Sequence, residues 1–330
     1  MTFDLPLIFT ALMGFAILAY VVLDGYDLGV GMLMAAATED EQDLMVSSIG
    51  PFWDANETWL VLGVGILLVA FPAAHGIILG ALYLPVATML IGLMFRGVAF
   101  EFRIKALGWH RELWNWLFWF GSFLTAFAQG LMLGRYITGF ESGFGYFLFA
   151  LLTGAGLCGG YVLLGATWLV LKTEGALQKK AIAWAKWGLL WVALGVVLVS
   201  LATPLISETV RTKWFDFPRT LALMLLPAAS LAVGVVVWIT LGRLARGERR
   251  AEWLPFAGSA AIFTLAFGGL AYSLFPYVVI DRLTLWEAAA HPSSLKFVLV
   301  GALIVVPLII AYTAFSHRVF WGKARAKLYE

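Results

Sequence analysis

Acidic side chains crowd three short stretches of an otherwise apolar chain, and their types suit proton handling. Asp24 and Asp27 stand in Asp24-Gly25-Tyr26-Asp27-Leu28-Gly29-Val30-Gly31. Asp54 and Glu57 stand in Gly50-Pro51-Phe52-Trp53-Asp54-Ala55-Asn56-Glu57-Thr58-Trp59-Leu60. The third stretch, Arg96-Gly97-Val98-Ala99-Phe100-Glu101-Phe102-Arg103, adds the cation Arg96 and the acid Glu101. Within each acid pair the spacing is three residues, which on a helix puts both carboxyls on one face. Carboxyls grouped in this way can accept and pass protons, and a neighbouring guanidinium favours their ionised form. An ionisable group at bilayer depth is costly and marks a functional site by default. The competing account is structural. Pro51 suits a first helical position and acids suit a first turn, so Asp54 and Glu57 could cap a helix. Asp24 and Asp27 could likewise be solvated where glycines loosen a helix end, or simply pair with Arg96. Capping explains one acid; it gives no reason for two with Asn56 between them.

These residues need elements to hold them. The 330-residue chain is 62% hydrophobic and 13% charged, with a mean hydropathy of +0.90. That excludes a soluble globular domain, whose apolar content sits near half. A scattered net charge of +2 gives no footprint for nucleic acid. The single cysteine, Cys158, excludes an internal disulfide and a cysteine-rich metal site. No basic segment precedes the first apolar run, and Asp24 and Asp27 lie near its end. It reads as a permanent span rather than a cleaved signal.

Nine apolar runs mark candidate spans at roughly 7–34, 53–73, 76–97, 113–134, 144–171, 184–206, 219–241, 256–276 and 296–320. They are continuous rather than alternating, so the chain reads as an all-α polytopic membrane protein forming one integral membrane domain over 1–330. Pro72-Ala73-Ala74-His75-Gly76 alone separates the second and third runs, which predicts a tight helical hairpin there. Gly154-Ala155-Gly156 and Gly159-Gly160 predict a close helix contact along the fifth run. Tryptophans at the span ends, such as Trp109, Trp114, Trp184 and Trp187, fit interfacial belts.

Orientation follows from the basic residues. The odd-numbered connections, the C-terminal tail and Arg96 hold sixteen of the 22 Lys and Arg, leaving six on the other side. This asymmetry puts the C-terminus in the cytoplasm and, with nine spans, the N-terminus outside. It also gathers Asp24, Asp27, Asp54, Glu57, Arg96 and Glu101 near the cytoplasmic edge. Of the four histidines, His75, His110, His291 and His317, none is buried mid-span or paired with another at helical spacing. All four read as interfacial, and the chain reads as holding no haem iron itself.

The three acidic motifs, in this order and spacing, resemble subunit II of the cytochrome bd-type quinol oxidases. The resemblance continues through Tyr272-Ser273-Leu274-Phe275-Pro276 and the region from Trp286 to Tyr312, and so covers essentially the whole chain. The Trp-Asp-Ala-Asn-Glu-Thr-Trp form is most similar to the cyanide-insensitive branch; other members carry glutamine where this chain has Glu57. The resemblance implies two four-helix bundles with a peripheral helix, and a heterodimer in a bacterial inner membrane. It implies that subunit I binds two b-type haems and one d-type haem and oxidises quinol. Subunit II is then haem-free, supports assembly, and lines a proton route from the cytoplasm toward the site where dioxygen becomes water. Asp54, with Trp53 beside it, matches the family position at the start of that route. Asp24, Asp27 and Glu57 join the same route, with Trp53, Asn56, Arg96 and Glu101 as structural or charge partners. Small single-span accessory subunits and a structural quinone accompany some relatives. Two rival readings remain on the residues alone. A secondary transporter would need a midplane polar site on broken helices, often with an inverted repeat, and neither is visible. A purely structural membrane subunit would need its acids only as caps.

Overall fold

The computed structural model describes residues 4–217, 219–248 and 250–325. Arg249 and Lys327, counted above for orientation, lie outside the described residues. Helix α1 (Leu5–Leu33) starts where Asp4 Oδ1 accepts the Leu7 amide at 3.2 Å and Pro6 supplies a preset first-turn φ. It is followed by the short α2 (Glu39–Ile49), α3 (Trp53–Ala70), α4 (Pro72–Ala81), α5 (Tyr83–Arg103), α6 (Trp109–Ile137), α7 (Phe144–Lys172) and α8 (Gly175–Ile206). Beyond these come α9 (Glu208–Trp214), α10 (Arg219–Leu223), α11 (Leu225–Ala245) and α12 (Leu254–Leu274). A two-stranded antiparallel ribbon, β1 (Tyr277–Val279) and β2 (Leu283–Thr284), leads through α13 (Leu285–Ala288) to α14 (Pro292–Val319). Among the described residues, nine helices are long and apolar enough to cross a membrane.

The expected hairpin between the second and third spans does not form. Pro72, which lacks the N–H a helix interior needs, opens the separate ten-residue helix α4. That helix stops at Leu82, whose φ of −102° and ψ of 13° are not helical. The third long helix therefore runs over 83–103, not 76–97, and packs on α6 while α3 packs on α1. The seventh run is also shifted: its first residues form α10, and the long helix begins at Leu225.

Glycines set the closest helix crossings. A Cβ on Gly29 of α1 would lie 1.8 Å from the Tyr161 carbonyl oxygen of α7, and one on Gly165 of α7 would lie 2.4 Å from Gly29. The glycines after Asp24 thus bring α7 against α1. They do not loosen a helix end, for α1 continues to Leu33. In the fifth run, Gly154 packs against Gly130 and Phe127 of α6, and Gly159 faces the Trp191 ring of α8. The consequence is that residues 24–31 of α1 are buried on every side. At that end of the helix set, α2 lies as a lid outside the long helices. At the opposite end, α4, β1, α13 and the start of α14 build an apolar cap around Phe71, Val279 and Leu295.

Candidate functional site

Arg96 is the hub of the site. Its guanidinium is fully buried, and its Nη1 donates to Asp24 Oδ1 at 2.7 Å and to Glu57 Oε1 at 3.2 Å. Its Nη2 lies 3.8 Å from Asp27 Oδ2, an ion pair without a hydrogen bond. Three helices meet here: α1 brings Asp24 and Asp27, α3 brings Glu57, and α5 brings Arg96. Asp24 and Asp27 are wholly buried, whereas the Glu57 side chain is 27% exposed. The cluster thus grades from a sealed interior at Asp24 to an open edge at Glu57. Three carboxyls around one cation can share a proton among them, which a single acid paired with a cation cannot do.

The surrounding residues fix this geometry. Asn56 is buried and its Nδ2 lies 2.8 Å from Asp27 Oδ2, 3.0 Å from the Tyr26 hydroxyl and 3.3 Å from the Leu23 carbonyl. It ties the first turn of α3 to α1. The Trp53 ring of α3 lies 5.8 Å from the Arg96 guanidinium carbon and packs on Phe100 of α5, so it covers part of the cation. Asp54 is exposed in the first turn of α3 and faces Glu57 electrostatically from outside the cluster. Glu101 is exposed in the last turn of α5, and no ion pair joins it to Arg96. Of the residues singled out by sequence, six gather around one guanidinium counting Arg96 itself, Asp54 stands at their edge, and Glu101 stands apart.

A second polar network sits closer to the surface. Asp43 of α2 accepts from Arg103 at 2.9 Å and from Arg111, Arg103 Nε donates to Asn115 Oδ1 at 2.7 Å, and Asn115 donates to Gln42 at 2.7 Å. Glu41 accepts from Lys180 at 2.7 Å, which with the Thr38 amide holds its carboxyl below the usual range. These contacts pin α2 over α5, α6 and α8.

The histidines are not equivalent. His75 lies on α4, His110 stacks beside Trp109 at the start of α6, and His291 caps α14. His317 is not a simple interfacial residue: it packs on Phe52 at 4.5 Å, with Nε2 3.4 Å from the Tyr26 hydroxyl and Nδ1 2.9 Å from the Thr313 carbonyl. Both its ring nitrogens have a polar neighbour within the chain. Among the described residues no group of three or more His, Cys, Asp or Glu could hold a metal. Sequence reasoning missed Tyr26, which bridges Asn56 and His317, and it missed the buried file of Tyr20, Gln129 and Tyr161 beside Asp24. Tyr20 was readable in principle, since it precedes Asp24 by one helical turn.

Comparison with known proteins agrees with this architecture. The model of the family described as cytochrome bd terminal oxidase subunit II matches residues 5–320. The chain belongs to that family. It is 28% identical to cytochrome bd-I ubiquinol oxidase subunit 2 of Escherichia coli strain K12, over 97% of this chain and 95% of the relative. It is 43% identical to cytochrome bd ubiquinol oxidase subunit 2 of Bacillus subtilis strain 168, over 33% of each chain. In fold it is similar to a chain in the structure of bd oxidase from Geobacillus thermodenitrificans, with a TM-score of 0.79 at 16% identity, covering 96% of this chain and 99% of that one. As a family member with nine candidate spans, it is a multi-pass membrane subunit whose redox context is a bd-type oxidase.

Proposed function

We propose that this chain is the haem-free subunit of a quinol:oxygen oxidoreductase. In this reading it scaffolds a haem-bearing subunit I and gives cytoplasmic protons access toward the site of oxygen reduction. The observation that carries the reading is the graded cluster: one buried guanidinium shared by Asp24, Asp27 and Glu57, with Glu57 opening outward beside the exposed Asp54. A purely structural ion pair needs one acid per cation, and a sealed one needs no exposed member. Protons enter at Asp54, pass to Glu57, and are held within the Arg96 cluster until the partner subunit draws on them. The haems, two b-type and one d-type in subunit I, supply the electron transfer; this chain's residues bind and hand on protons. The Lys and Arg asymmetry supports an arrangement with α2 and the cluster on the cytoplasmic side, the C-terminus inside and the N-terminus outside. In this reading the long helices form two four-helix groups of a single integral domain, and the low burial of α14 supports a peripheral place for it.

The test neutralises both acids at the start of α3 in the assembled complex. Asp54→Asn combined with Glu57→Gln should leave the haem spectrum intact and remove most oxygen-consuming turnover. Full turnover in that complex would leave the acids with a structural role alone.

A further inference from the structure

A run of short hydrogen bonds leads from α7 through α6 to α1 and stops beside Asp24. Tyr161 Oη donates to Gln129 Oε1 at 2.6 Å, and Gln129 Nε2 donates to Tyr20 Oη at 2.6 Å. All three side chains are buried, with 0%, 9% and 3% exposure respectively. Tyr20 precedes Asp24 by four residues, so the two share a face of α1. The Tyr161 ring packs on Gly25, where a Cβ would meet it at 2.8 Å, so the far end of the file also presses against the Asp24 turn.

The direction of the file follows from counting hydrogens. A phenol has one proton to give, and a primary amide gives through nitrogen and accepts through oxygen. Tyr161 spends its proton on Gln129, and Gln129 spends a hydrogen on Tyr20. That leaves the Tyr20 proton without an acceptor inside the file. One turn away, the buried Asp24 Oδ2 lacks a donor, since Arg96 bonds only Oδ1. Turning the Gln129 amide around would reverse both bonds, leaving the Tyr161 proton and Asp24 Oδ2 both unpaired. Buried polar groups are rarely left unpaired, so the direction that ends on Asp24 is the one the site favours.

We propose that Tyr161, Gln129 and Tyr20 form a one-way file of donors that ends on Asp24 and holds it ionised as the fixed counter-ion of Arg96. The groups facing Asp24 are then Arg96 from α5, Glu57 from α3, Tyr20, Tyr26 and Asp27 from α1, and Tyr161 from α7. Two of these, Arg96 and Tyr20, stabilise the carboxylate directly. Proton exchange falls to the acids at the open edge, Glu57 and Asp54. Tyr20, Gln129 and Tyr161 are positioning residues: they act through Asp24. The division of labour rests on the proton-access reading, but the ionised state of Asp24 does not.

Infrared difference spectroscopy of the assembled oxidase reads that state independently of turnover. In the unchanged complex at neutral pH, Asp24→Asn should remove no protonated-carboxyl band. Tyr20→Phe should gain one such band per complex, which disappears in the double variant with Asp24→Asn. Tyr161→Phe should gain the same band although its lost hydroxyl bonds only Gln129, because the freed amide can turn and take the Tyr20 proton. Either phenylalanine variant suffices if the other assembles poorly. The proposal is overturned if an assembled variant with its haem spectrum intact shows no new Asp24 band, or if Asp24 already carries a proton in the unchanged complex. Loss of turnover alone bears on the proton-access reading and leaves this result untouched.

Discussion

Arg96 and Asp24 meet at 2.7 Å with neither side chain exposed, joining α1 to α5 across 72 residues of chain. Such a pair is not a store of stability, because taking both charges out of water costs about what their attraction returns. Its energetic weight appears when one partner is lost. Arg96→Met strands Asp24 and Asp27 as buried acids and should cost roughly 3–5 kcal/mol. The expected outcome is a large drop in membrane-extracted, assembled complex, measured by size-exclusion chromatography. Adding Asp24→Asn should restore part of the yield, since it removes one stranded charge.

Gly29 and Gly65 separate packing from composition. A Cβ on Gly29 would meet backbone of α7 at 1.8 Å, whereas one on Gly65 meets nothing within 4 Å. Gly29→Ala should therefore push α1 off α7 and destabilise by about 1–3 kcal/mol. Gly65→Ala should be neutral or slightly stabilising within α3. Thermal unfolding of the two variants in the same detergent distinguishes them.

Asp43 links stability to pH at the α2 surface. Burial by itself would raise its carboxyl, but bonds and charge from Arg111 and Arg103 outweigh this and hold it below the usual carboxylate range. A carboxyl lowered in the folded state adds stability above its ordinary value, about 3.9, and loses it as pH falls through the lowered one. Asp43→Asn should loosen α2 at pH 7 by under about 1 kcal/mol, given its partial exposure. Hydrogen exchange of the α2 amides should show that difference at pH 7 and lose it at strongly acidic pH.

The long helices were legible because a membrane span has to be an unbroken apolar run, and α1, α3, α6 and α7 announce themselves that way. The same rule misplaced the third span. Residues 76–95 carry no charge, so nothing in the apolar run marks that Pro72 divides α3 from α4 and the non-helical Leu82 divides α4 from α5. The acids of the site were legible by type and spacing, yet their order around Arg96 was not. Asp54 and Glu57 sit on one turn in sequence, but only Glu57 points at the guanidinium. Glu101 follows Arg96 closely along the chain and still faces away from it. Tyr20, Gln129 and Tyr161 carry no charge and share no motif, so nothing short of the helix packing could have joined them. His317 is similar: its partner Tyr26 is 291 residues away in the chain.

Asp54 decides the central claim. It is exposed and takes part in none of the ion pairs or hydrogen bonds of the Arg96 cluster, so replacing it keeps those contacts. Asp54→Asn keeps shape and removes the titratable group, while Asp54→Glu keeps a carboxylate on the same face of α3. If this chain delivers cytoplasmic protons, the assembled Asp54→Asn complex should retain its haem spectrum and lose most oxygen consumption, and Asp54→Glu should recover part of it. A first-turn acid that only favours the helix terminus contributes about 0.3–1 kcal/mol and predicts normal turnover for both. Near-normal oxygen consumption in a fully assembled Asp54→Asn complex would contradict the account.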